Sequence, residues 1–185
     1  MSRPEFPEQP FGFPHSGARS MPGVLSEARR LAAVEALARQ AMAAAGGGGT
    51  TYAARIRKSS NQSVGNNSQT VITWQTTEFD ENSDMADLAN NRLTAPVAGI
   101  YIVTAGGEWQ ANLSGQRQVS LLQNGSGFAW VTNAPSISTI WRMNVSGVVK
   151  LAAGDHIQLQ AFQNSGGSLN MNNTDHTFLA MTKIG

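Results

Sequence analysis

The stretch from Asn91 to Trp109, NRLTAPVAGIYIVTAGGEW, constrains the fold of this chain most strongly. Its middle, residues 100–105, is almost continuously apolar, whereas a strand with one face in water alternates apolar and polar residues. Side chains alternate across a strand. One side would carry Tyr101, Val103 and Ala105, and the other Ile100, Ile102 and Thr104. The sequence therefore predicts a strand that is covered on both faces.

The C-terminal part of the chain, residues 51–185, has the pattern of an all-β domain. Short apolar or alternating runs are separated by clusters of Asn, Ser and Gly. Strands are predicted near residues 52–58, 70–76, 92–95, 99–109, 117–123, 127–132, 139–150, 156–163 and 177–184. Asn124-Gly125 is typical of a hairpin turn, and QNSGGSLNMNNTDH, residues 163–176, is predicted as a long polar loop. Strands at this spacing indicate a sandwich, a barrel or a jelly roll.

Residues 1–23 contain most of the prolines of the chain, together with Phe6, Phe11 and Phe13. Proline fixes φ and removes a backbone donor, so neither a helix nor a central strand is expected here. A disordered tail is one interpretation, although such tails are usually poor in aromatic residues. Phenylalanine next to proline favours an extended arm that places its rings in pockets on another protein.

Residues 24–45, VLSEARRLAAVEALARQAMAAA, are the strongest helix prediction, because Ala, Leu, Glu, Arg and Met all favour helices. Leu31, Val34 and Ala38 follow a three-four spacing and form one narrow stripe. The stripe fits either a short bundle of identical helices or a groove on a partner. The glycines of residues 46–50 then end the helix and predict a flexible hinge.

Composition excludes several classes of protein. Charged residues make up 14% of the chain and the net charge is +1, whereas a nucleic-acid binder needs a basic surface. There is no cysteine, so the chain has no disulfide framework, thiolate metal site or cysteine nucleophile. No apolar run approaches the length of a membrane-spanning helix or of a signal-peptide core. We therefore expect the chain neither to bind nucleic acid nor to insert into a membrane.

Four motifs of residues 51–185 resemble the C1q and tumour-necrosis-factor (TNF) jelly-roll superfamily. The first is LTAPVAGIYIVTA, with Leu93, Ala95, Pro96, Gly99 and Tyr101 at the signature positions. The second is the hairpin VSLLQNGS, and the third is VVKLAAGDHIQLQ, which matches at Leu151, Gly154, Asp155, Ile157 and Leu159. The fourth is the terminal strand TFLAMTKIG, with Phe178 at the aromatic position of the family.

The resemblance implies a ten-strand jelly roll that assembles as a homotrimer around a three-fold axis. Such a trimer would explain the two apolar faces of the strand at residues 99–109, because one face would fill the core and the other would meet neighbouring subunits. The alternative is that a loop or helix of the same chain covers the second face. The residues assigned to the core or the subunit seam are Ile100, Tyr101, Ile102, Val103, Phe178, Leu179 and Met181.

The order of arm, helix, glycine hinge and jelly-roll head is similar to that of minor tail proteins of tailed bacteriophages. This resemblance implies a non-enzymatic structural protein of the virion, made in the host cytoplasm. Residues 1–45 would attach it to other virion proteins, and residues 51–185 would form the exposed head. One alternative is a capsid decoration or head-fibre protein of the same architecture. The other is a free carbohydrate-binding lectin.

The sequence contains one candidate ligand residue and no predicted catalytic or metal site. The histidines lack metal-ligand spacing, and no cofactor is expected. The segment DENSD, residues 80–84, is interpreted as a solvated loop because the later positions of a calcium loop are missing. Arg55, Arg57 and Lys58 are interpreted as a charged strand edge. All four tryptophans lie on predicted strands, and Trp130, beside the Gly-rich hairpin, is the candidate for stacking on a host cell-surface glycan.

Overall fold

The computed structural model describes residues 50–137 and 139–184, which belong to one unit that begins at Thr50. The predicted arm, helix and glycine residues of the hinge lie outside the described residues. So do the predicted anchoring residues Phe6, Phe11, Phe13, Leu31, Val34 and Ala38. Their roles therefore stay predictions.

The described residues form thirteen strands and one 3-10 helix, Leu88–Asn90. The strands are β1 (Ala53–Arg57), β2 (Gln62–Val64), β3 (Ser68–Val71), β4 (Thr76–Asp80), β5 (Ala86–Asp87), β6 (Arg92–Thr94), β7 (Gly99–Trp109), β8 (Arg117–Gln123), β9 (Ser126–Asn133), β10 (Trp141–Leu151), β11 (His156–Gln163), β12 (Leu169–Met171) and β13 (Phe178–Lys183). Within this part of the chain, no helix is long and apolar enough to span a membrane.

The strands form two antiparallel sheets. In sheet A, β7 pairs with β10 and with β13, and β1 and β4 follow β13. The short strands β12 and β2 extend sheet A from the last residue of β7. Sheet B has the order β5-β6-β11-β8-β9, and β3 also pairs with β11. Two antiparallel sheets with these connections form a jelly-roll sandwich, one of the folds that the strand pattern predicts.

The core lies between the two sheets and is built from alternate residues of the long strands. On β11, Ile157, Leu159 and Ala161 are buried, while the residues between them are only partly buried. On β7, Tyr101 and Val103 are fully buried. The Tyr101 hydroxyl donates a hydrogen bond of 2.7 Å to the Val97 carbonyl, so its polar end is satisfied inside the core.

The predicted strand at residues 70–76 is partly wrong, because β3 of sheet B ends at Val71 and β4 of sheet A begins only at Thr76. Between the two strands, Ile72 and Trp74 are buried. The Ile72 amide still donates to the Leu159 carbonyl at 2.9 Å, and side chains replace the ladder at the next two residues. The Thr73 amide donates to the Gln62 side chain at 2.8 Å, and the Trp74 amide donates to the Asn91 side chain at 3.1 Å. Trp74 therefore lies in the core but not on a strand.

The predicted loop at residues 163–176 is partly wrong because it contains β12. Leu169 and Met171 are buried, and Leu169 lies opposite Val64 of β2. These two apolar residues are too few to give a periodic signal in a polar sequence. They close one end of the core.

The turn predicted at Asn124-Gly125 is confirmed, with positive φ angles of 50° and 83°. The Asp155 carboxylate joins this turn to the turn before β11. It accepts hydrogen bonds from the Asn124 side chain and from the Ala152 amide, both at 2.8 Å. These bonds to the charged form lower the pKa of Asp155, with the Asn124 contact contributing most.

Candidate interaction surfaces

The outer face of sheet A exposes apolar side chains from β7 and β10. We call the outward side chains of β7, β10 and β13 the A face. Ile102 is 40% exposed, and its register partner Val148 is 66% exposed. Ile100, one outward position along β7, is 44% exposed. Because contiguous exposed apolar patches are typical of interaction sites, this group is a candidate interaction surface.

The structure divides the predicted core-or-seam residues between the two sides of sheet A. Tyr101, Val103, Leu179 and Met181 are fully buried in the core. Ile100 and Ile102 lie on the A face, and Phe178 lies there half-buried. Of the predicted residues, only Ile100, Ile102 and Phe178 would therefore contribute to a subunit seam on the A face.

The end of the A face around Phe178 is a shallow groove of about 510 Å³. The Arg55 guanidinium lies 4.2 Å from the centre of the Phe178 ring and forms an ion pair of 3.1 Å with Glu78. Gly106 lets Phe178 and Asn144 of β10 approach closely, because a Cβ there would lie 2.8 Å from the Phe178 ring and from the Asn144 side chain. This end of the A face is thus aromatic and charge-paired, whereas the other end carries Ile100, Ile102 and Val148, with the exposed Lys150 opposite Ile100.

The basic cluster at Arg55, Arg57 and Lys58 is not a strand edge, because β1 lies between β13 and β4. Arg57 forms an exposed ion pair of 2.9 Å with Asp175. Lys58 is buried, and its amine donates to the Gln62 side chain at 3.1 Å and to the Thr73 carbonyl at 3.0 Å. Burial without a carboxylate lowers the pKa of Lys58 to about 8. The interpretation as a charged edge fails because it depended on a topology that the sequence does not reveal.

Two further buried charged residues escape the sequence patterns. Glu108 is nearly buried and forms a 2.8 Å ion pair with Arg142. Burial raises the pKa of Glu108, but hydrogen bonds from Arg142 and Asn172 outweigh it and lower the pKa overall. Arg117 is fully buried and donates to backbone carbonyls of the loop before β8, including Ser114 at 2.9 Å. Both side chains hold loops at the end of the sandwich that contains Trp109.

The segment Asp80–Asp84 is a turn closed by its first carboxylate. Asp80 accepts hydrogen bonds from the amides of Met85 at 3.0 Å and Ala86 at 2.8 Å. Ser83 takes a positive φ of 56° within this turn. In residues 50–137 and 139–184, no group of three or more His, Asp or Glu side chains is arranged to hold a metal ion.

Trp130 lies on the outer face of sheet B, the side of the sandwich opposite the A face. It is 66% exposed, whereas Trp74 and Trp109 are buried. Its register partner on β8 is Ser120. The sequence singles out Trp130 but not its neighbours, since only the register of β8, β9 and β11 shows which side chains lie beside it.

The fold can be compared with that of solved structures. Eiger TNF from S. frugiperda superposes with a TM-score of 0.60 at 12% identity, covering 74% of this chain and 94% of that chain. Murine APRIL, solved at pH 5.0, superposes with a TM-score of 0.56 at 16% identity, covering 72% of this chain and 99% of that chain. No protein-family model and no curated protein matches the chain. The chain therefore has the TNF/C1q type of jelly-roll fold.

Proposed function

We propose that the chain is a non-enzymatic structural protein of a phage virion, in which three jelly-roll heads join through their A faces. The observation that carries the trimer is the exposure of Ile100, Ile102 and Val148 on neighbouring strands. In a closed three-fold assembly each A face meets a neighbouring head. The outer faces of the three B sheets then point away from the axis.

The energy of burial supports this association. Fully burying an exposed Ile or Val side chain stabilises by about 1.5–3 kcal/mol, and the three on each head, which are 40–66% exposed, contribute the corresponding fraction of that energy. A solitary head would leave this contribution unused. Closed point-group symmetry satisfies every copy in the same way, so the assembly ends at a fixed size and does not grow into a filament.

The virion role is supported by the order of segments in the sequence. A proline- and phenylalanine-rich arm, a predicted helix and a glycine hinge precede the head, as in minor tail proteins of phages. We propose that residues 1–45 bind other virion proteins and that the head projects from the tail. The alternative, a decoration of the capsid, uses the same architecture and differs only in the location of the protein.

The experiment is immunogold labelling of purified phage particles with antibodies raised against residues 51–185. Label at the tail supports the appendage, and label over the capsid supports the decoration protein. Particles assembled with a chain that lacks residues 1–45 serve as the matched control and should carry no label. Intact particles that never bind the antibody would contradict a virion role.

A further inference from the structure

We propose that the outer face of sheet B around Trp130 binds a neutral saccharide. This saccharide site adds a ligand to the proposed function. It rests on that function in one respect only, which is that the site faces outward on the particle. We call its six residues the Trp130 platform: Gln118, Ser120, Trp130, Thr132, Gln160 and Phe162.

The register of three strands brings these side chains together. Trp130 of β9 lies opposite Ser120 of β8, which in turn lies opposite Gln160 of β11. The next outward row has Thr132 of β9, Gln118 of β8 and Phe162 of β11 in the same order. Since neighbouring strands lie about 4.8 Å apart, each row spans about 10 Å, which is the length of a disaccharide.

Polar side chains between the two aromatic residues are already ordered. The Gln118 amide donates to the Ser120 hydroxyl at 2.8 Å, and the Thr132 hydroxyl donates to the Gln118 carbonyl oxygen at 3.2 Å. Ser120 is only 6% exposed and supports Gln118 from the sheet, so Gln118, Thr132 and Gln160 present the polar groups to a ligand. An amide offers both donors and acceptors, and so does a hydroxyl. A pre-organised set of this kind loses little entropy when it binds a ligand that also carries hydroxyl groups.

The platform carries no charged side chain, which favours a neutral ligand over an acidic peptide, a phosphate or a nucleic acid. The Trp130 side chain is 66% exposed, so one face of its ring is in water. A pyranose has one face of C–H groups and a rim of hydroxyls, so it can cover such a ring while its rim meets the amides. Ring and amides together therefore select for a sugar, whereas a purely apolar partner would leave the amides unpaired.

The test is titration of the full-length protein with lactose, maltose and chitobiose as neutral probes and sialyllactose as the charged probe. Binding is followed by saturation-transfer NMR and by tryptophan fluorescence. At least one neutral disaccharide should bind with a Kd of about 1 mM, and Trp130→Ala should weaken binding at least about tenfold. Trp130→Phe should keep most of the affinity, because it keeps an aromatic face.

Leu113→Ala is the matched control, since Leu113 is an exposed apolar residue outside the platform. It should bind like the unchanged protein. The proposal is overturned if no neutral disaccharide binds at ten times the expected Kd, if Trp130→Ala binds normally, or if only sialyllactose binds. The mass of each sample in solution, measured in parallel, shows whether the trimer persists, so a failed sugar site is distinguishable from a failed assembly.

Discussion

Ile102 and Val148 lie directly opposite each other on β7 and β10, and both point out of the sandwich. The residues beside them on β7, Tyr101 and Val103, are fully buried on the other side of the sheet. Sheet A thus has one apolar face in the core and a second face, in water, that carries this apolar pair. Within one copy, no described segment covers the second face at these two positions.

We expect Ile102→Asp to abolish trimer formation without unfolding the head. A carboxylate buried in a subunit seam loses its hydration, and its register partners Val148 and Thr182 cannot neutralise it, so association becomes unfavourable. Sedimentation equilibrium at micromolar concentration should give the mass of one chain. Leu113→Asp is the control and should leave the trimer intact. A trimeric Ile102→Asp variant would show that the A face is not the seam.

We expect Gly106→Ala to destabilise the head. Its Cβ would collide with the His176 carbonyl and approach both the Asn144 side chain and the Phe178 ring at 2.8 Å. Relieving these contacts requires shifts of backbone, at a cost of about 1–3 kcal/mol in the free energy of unfolding. Urea denaturation measures the loss. Gly167→Ala is the control, because a Cβ there meets no neighbour, and equal stability of the two variants would contradict the packing described.

We expect Lys58 to make the stability depend on pH. Its folded pKa is about 8 against an ordinary value of 10.5, so between these values the unfolded chain binds more protons. The free energy of unfolding should therefore rise with pH across this window. The slope of the free energy of unfolding against pH measures how many more protons the unfolded chain binds. Lys58→Met should lower this number by close to one proton per chain, which urea denaturation at several pH values measures. Superimposable slopes would mean that the amine is solvated in the folded protein.

We expect Asp155→Asn to weaken the link between the two turns. The folded pKa of Asp155 lies below its ordinary value of 3.8, so its contribution is complete above that value and is lost as pH falls through the folded pKa. At pH 7 the variant should melt at a lower temperature than the unchanged protein. This difference in melting temperature should become smaller below pH 3.8. If the difference in melting temperature did not change with pH, the effect of the substitution would come from packing and not from the charge of Asp155.

Much of the sandwich can be predicted from sequence, because burial on one or both faces leaves a period in the chain. The runs predicted at residues 99–109, 117–123 and 156–163 are β7, β8 and β11. One failure, β12, occurs where a strand is too short to give a periodic signal, and the other occurs where side chains replace the backbone ladder. Thr73 and Trp74 are held by the amides of Gln62 and Asn91, which are distant in sequence, and local patterns do not contain that information.

The interaction surfaces are predictable only in part. The sequence indicates two apolar faces at β7 and singles out Trp130, because these features are local. It does not indicate that Val148 completes the A face or that Gln118 and Gln160 lie near Trp130, since both facts depend on strand register. The position of β1 between β13 and β4 is likewise a property of topology, which is why Arg55 and Arg57 do not form an edge.

The most direct test is the mass in solution of the isolated head, residues 51–185, without the predicted arm and helix. Multi-angle light scattering during gel filtration at micromolar concentration measures this mass independently of shape. We predict three chain masses, because the A faces alone supply the contact. A folded head that elutes with the mass of a single chain would contradict the trimer and the virion role that depends on it.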